Sequence, residues 1–152
     1  MKRLNKYALE SALMNITISY GTETFDFNLF KELVIDENKI DSEIKEQPSA
    51  YAFLGMLHKK LIRVMKDKEK EAEKKYWALF LLYKSQTDSA TGKPFSNDVA
   101  EAKATKNSEY QEKLQAYFDA ELNCNIIETC VKSFEQRYSL IQTLSANIRK
   151  SR

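Results

Sequence analysis

Three glycines and two prolines are all that interrupt this chain of 152 residues. A β-sandwich or barrel turns often and uses Gly and Pro to do so, which excludes both architectures. One His and two Cys are too few for a zinc ribbon or a disulfide framework. A formal net charge of +2 excludes a uniformly basic protein. No apolar run approaches the roughly 18 to 20 residues that span a bilayer, so no membrane partner is expected. The start, Met1-Lys2-Arg3-Leu4-Asn5-Lys6, is basic but reaches Glu10 and Asn15 before an apolar core forms, unlike a signal peptide. A cytoplasmic setting with Cys124 and Cys130 as reduced thiols is therefore expected.

The residues that are abundant favour helices. The chain is 43% hydrophobic and 30% charged, rich in Lys, Glu, Ala and Leu, and long enough to bury one core. The expected class is all-α in the main: a long antiparallel helical hairpin or coiled coil behind a small N-terminal element. Residues 4–14 fit a short amphipathic helix. Ile16-Thr-Ile18-Ser-Tyr20, Gly21 and Phe25-Asp-Phe27 alternate as a β-hairpin does, while Leu13, Ile16 and Tyr20 fit a helical period nearly as well. Residues 28–35 read as a helical turn, and Asp36 or Asp41 as the N-cap of a short helix ending near Glu46. Gln47-Pro48 is the expected boundary, with Pro48 in the first turn of a new helix. It separates an N-terminal element, 1–47, from the helical hairpin, 48–152.

The first long helix is predicted from Pro48 to about Ser85, with Leu54, Leu57, Leu61, Val64 and Lys68 on one face. Between Lys66 and Lys75 the pattern turns polar, so that part stands free of the core or meets something charged. It resumes with Tyr76, Trp77, Phe80 and Tyr83. Residues 86–97 form a loop, Ser96 or Asn97 caps a short helix 98–105, and Ser108 caps a last helix to about residue 149. There Cys124, Ile127, Val131, Phe134, Tyr138, Ile141, Ser145 and Ile148 alternate steps of three and four as a heptad seam. Leu140 and Leu144 remain as a second stripe for a partner subunit.

The small net charge conceals a division. Residues 21–50 hold 8 acids and 3 bases, a net −5, and residues 51–86 hold 9 bases and 4 acids, a net +5. Lys59, Arg63, Lys66, Lys70 and Lys74 share one helix face, with Lys60 and Lys75 beside it. Arg149, Lys150 and Arg152 form a second cluster. One reading is a track for a phosphate backbone, with Trp77, Tyr76 and Tyr83 for base stacking. The other, commoner for such sequences, is a solvated face whose Lys pair with Glu69, Glu71 and Glu73, the aromatic rings belonging to the core.

No catalytic pattern accompanies these charges. His58 has no nucleophile in a recognisable arrangement and reads as a half-buried helix residue. Cys124 and Cys130 lie on different helix faces. Thr91-Gly92-Lys93 lacks the spacing of a phosphate loop. Asp36, Glu37, Asp41 and Glu43 are exposed by pattern and lack the spacing of a metal loop. Neither enzymatic activity nor a cofactor is expected.

The C-terminal half carries Val99-Ala-Glu-Ala-Lys103, Ser108-Glu-Tyr110-Gln111, Tyr117-Phe-Asp-Ala120-Glu121, Val131-Lys-Ser-Phe134-Glu-Gln-Arg137 and Leu140-Ile141-Gln142-Thr-Leu144-Ser145-Ala146-Asn-Ile148-Arg149. With Leu33-Val-Ile35-Asp36-Glu-Asn-Lys39-Ile40 and Gln47-Pro48-Ser-Ala-Tyr51 upstream, it resembles the UvsY-type recombination mediators of tailed phages over roughly residues 28–150. The resemblance implies a non-enzymatic protein that binds single-stranded DNA and self-associates into a ring. It further implies loading of a RecA-like recombinase onto DNA covered by single-strand-binding protein. The family's basic and aromatic stretch would fall on Lys74-Lys75-Tyr76-Trp77 through Leu82-Tyr83-Lys84-Ser85, where Leu79, Phe80 and Leu81 replace the expected basic character. The Lys59–Lys75 face is therefore the favoured DNA contact, with Trp77, Tyr83 and Lys84. The main rival is a coiled-coil adaptor or phage structural protein that binds protein only. A more distant one is a helical chaperone for a partner's amphipathic helix.

Overall fold

A computed structural model describes residues 15–150. The expected helix over 4–14 lies outside the described residues. The architecture is mainly α-helical, with long helices and one small antiparallel sheet. Strands β1 (Asn15–Tyr20) and β2 (Glu23–Asn28) lead into a short helix α1 (Leu29–Leu33) and a 3-10 turn, Glu37–Lys39. Helices α2 (Ile40–Lys84), α3 (Asn97–Lys106) and α4 (Ser108–Lys150) follow. None of the described helices is long and apolar enough to cross a membrane. The chain divides into two compact units. Among the described residues the first holds 15–59 and 125–150, and the second is Lys60–Cys124.

In the first unit the hairpin alternative holds. Ile16 pairs with Phe27 and Ile18 with Phe25, so one sheet face collects all four apolar side chains. Ile18 is fully buried, and the Phe25 ring meets Phe53 of α2 edge-on at 5.3 Å. Gly21, at φ 62°, is the first of two turn residues, where a tight hairpin of right-handed twist requires positive φ. That conformation overrides the competing helical period. Gly21→Val should lower stability by about 1–2 kcal/mol, because a side chain at this φ is strained. A shift of the urea midpoint at unchanged slope would measure it.

The boundary expected at Gln47-Pro48 is instead a helix interior. α2 starts eight residues earlier, at Ile40, and passes through exposed Pro48 without a break. Pro48 removes one N–H from the helix. The turn is held from the side: buried Gln47 donates from Nε2 to the Phe134 carbonyl, 2.8 Å away. The expected short helix before it is the first two turns of α2. Asp36 caps only the 3-10 turn, its Oδ1 accepting the Asn38 N–H at 3.0 Å.

Along α2 the predicted face is the buried one, through Leu54, Leu57 and Leu61. Along α4 the heptad seam is displaced by one residue at two steps. Cys130 is buried beside half-buried Val131, and Arg137 is buried where Tyr138 was expected, leaving Tyr138 46% exposed. Glu43, expected in solvent, lies against Arg137 with its side chain 16% exposed. The helices run antiparallel here, since Glu43 meets Arg137 and Tyr51 meets Glu135. Burial pushes the Cys130 thiol up to about 11. Cys130 should thus stay unmodified by a thiol-specific disulfide reagent at pH 8 and react on unfolding. Rapid labelling of the native protein would contradict that.

Candidate nucleic-acid interface

The second unit is built on Leu61, Ala72 and Leu79 of α2, Ala100 and Ala104 of α3, and Ala120 and Cys124 of α4, all buried. Its helices α2 and α4 also run antiparallel: Lys75 pairs with Glu109, and Lys113 Nζ reaches Glu71 Oε2 at 3.0 Å. The polar stretch Lys66–Lys75 therefore packs through Ala72 and meets charges of its own chain. Ser96 caps α3 by accepting the Val99 N–H, as expected. At α4 the cap is Asn107 rather than Ser108, with Asn107 Oδ1 accepting the Glu109 N–H at 3.0 Å.

These contacts sort the candidate residues. Arg63, Lys66, Lys70 and Lys74 are exposed, and no ion pair among the described residues involves them. A helix turns about 100° per residue, which puts the four within roughly 80° of one another and nearly opposite Leu61, Ala72 and Leu79. The row is about 16 Å long at 1.5 Å per residue. Lys59, exposed in the first unit, precedes Arg63 by one turn in sequence, and Lys60 is exposed as well. Glu69 and Glu73 form no ion pair with the row, and Glu71 is taken by Lys68 and Lys113. Hydrogen bonds from Lys113 and then Lys68 hold the Glu71 carboxyl below its ordinary value.

Lys75, Tyr83 and Lys84 are not part of the open row. Lys75 is half-buried against Glu109, Tyr83 accepts from Asn107 Nδ2 at 3.1 Å, and Lys84 donates to the Phe95 carbonyl at 3.0 Å. Trp77 follows the row by three residues and is 58% exposed, its ring edge-on to Tyr76 and Phe80. It retains surface for a stacking base.

The sequence reading missed Lys103, whose ammonium lies 3.9 Å from the centre of the Phe95 ring, and Lys106 in the hollow it shares with Tyr83. Their three-residue spacing on α3 was the available signal. No known protein family, curated protein or solved structure matches this chain.

Proposed function

We propose that the protein binds single-stranded DNA through the outer face of α2 and acts, without catalysis, as a recombination mediator. The observation that carries the reading is the row Arg63, Lys66, Lys70 and Lys74, exposed and without acidic partners among the described residues. Lysines kept for solubility alone commonly pair with neighbouring Glu along a helix. This row leaves Glu69 and Glu73 unpaired and Glu71 engaged elsewhere. Cations at successive turns match a polyanion, and Trp77 adds an aromatic ring at one end.

The resemblance to UvsY-type mediators supplies the rest of the proposal: a cytoplasmic ring of identical subunits that helps a RecA-like recombinase displace single-strand-binding protein. Of the stripe proposed for self-association, Leu140 is 58% accessible and Leu144 is half-buried. Titration of a labelled single-stranded oligonucleotide at two salt concentrations tests the proposal. Salt-sensitive binding supports it; no binding at low salt overturns it and leaves the protein-only adaptor.

A further inference from the structure

We infer that the second unit also carries a cation-binding groove, chemically opposite to the lysine row, that takes an arginine side chain from a basic segment of a protein partner. The groove has a volume of about 320 Å³, and its lining includes Tyr76, Trp77, Tyr110 and Tyr117, with Glu69 and Glu73. Four aromatic side chains from two helices line it. The Tyr76 ring centre lies 5.3 Å from that of Trp77 and 5.6 Å from that of Tyr110. Aromatic faces are negative and attract a cation, a guanidinium most of all because it also stacks.

The carboxylates give the groove its sign. Glu69 and Glu73 are one helical turn apart, exposed, and in no ion pair among the described residues. No ion pair among the described residues joins them to Lys66, Lys70 or Lys74, and of the other nearby lysines Lys68 and Lys113 hold Glu71 while Lys75 holds Glu109. The tyrosine hydroxyls face further acids: Tyr117 donates to Glu121 at 3.1 Å, and Tyr76 lies against Glu101. Phosphate is repelled from such a site, and a small hydrated cation gains little from the rings. A guanidinium fits both parts, its flat face on an aromatic ring and its N–H fork on Glu69 or Glu73. The groove shares Trp77 with the DNA reading but takes its charge from Glu69 and Glu73 and uses neither Arg63 nor any lysine of the row, so the two can be tested separately.

Trp77 is the chain's single tryptophan, so its emission reports the groove directly. A short arginine peptide is titrated against the full chain, with the same peptide carrying citrulline as a neutral control. The expected result is a saturable change with arginine and none with citrulline. Glu69→Gln with Glu73→Gln should weaken peptide binding at least about tenfold while helicity is kept. The same variant should bind oligonucleotide no more weakly than the parent, and Arg63→Gln, Lys66→Gln, Lys70→Gln and Lys74→Gln together should spare peptide binding. No saturable change, equal response to citrulline, or undiminished binding by the glutamine pair would each overturn the groove. Peptide binding that survives loss of the row would stand even if DNA binding fails.

Discussion

Arg137→Ala is expected to destabilise the protein by about 3–5 kcal/mol, the usual cost of leaving a buried charge without its partner. The Arg137 side chain is 9% exposed and serves three acceptors at once. One NH2 group reaches both the Glu43 carboxylate and the Val34 carbonyl, the latter at 3.1 Å, while NH1 donates to Gln47 Oε1. Glu43 also accepts the Asp36 N–H at 3.1 Å, which ties the turn before α2 into the same network. Removing the guanidinium strands all three acceptors. Arg137→Lys should recover only part of the loss, because an ammonium lacks the planar fork. Arg137→Leu with Glu43→Leu should recover more than either single change, since an apolar pair of similar size avoids desolvated charge. Urea unfolding of the two singles and the double gives the coupling; a fully additive double would rule out the network. The pH dependence carries a sign. Burial alone would raise the Glu43 carboxyl, but the Asp36 N–H and the Arg137 guanidinium outweigh it and hold the group below its ordinary 4.5. A depressed carboxyl contributes stability above its unfolded value and loses it as pH falls through the folded one. Acid should therefore cost the parent more stability below about pH 4.5 than it costs the leucine pair.

That network marks where periodicity stops being enough. Leu54, Leu57 and Leu61 were legible because repeated leucine at three- and four-residue steps admits one buried face. At Arg137 and Tyr138 the same pattern selects the apolar neighbour, and the choice was decided by Glu43 and Gln47 on the facing helix. Those partners lie 94 and 90 positions away, so no local window contains them. Pro48 misleads for a related reason: its local rule places a helix start, whereas the Gln47 side chain holds that turn to α4. The lysine row was legible in the same way as the leucines, from spacing on one face. The fate of its neighbours was not. Glu71 bonds Lys113 and Lys75 bonds Glu109, each across 34 or more positions, which takes Lys75 out of the row. The four-ring groove likewise joins residues of α2 and α4 that no motif places together.

The second large effect is the loss of DNA binding on removing the row. Each cation held against a single strand releases about 0.7 of a counterion, so four of them give a slope near −2.8 in log affinity against log salt. Raising salt from 50 to 200 mM should then weaken binding by about 50-fold. Arg63→Gln, Lys66→Gln, Lys70→Gln and Lys74→Gln together should flatten that slope and lower affinity at moderate salt by on the order of 10²–10³-fold. The substitutions are isolated from folding because all four side chains are exposed and none joins an ion pair. Stability should consequently stay within about 0.5 kcal/mol of the parent, as for other surface changes. Lys75→Gln is the matched control. It removes the same charge from the same helix, but from a residue already paired with Glu109, so its effect on the salt slope should be smaller than that of Lys70→Gln. Equal effects from the two would mean that total charge, and not the open row, governs binding. An unchanged slope in the fourfold variant would move the DNA contact elsewhere, with Lys103 and Lys106 of α3 the next cations to replace.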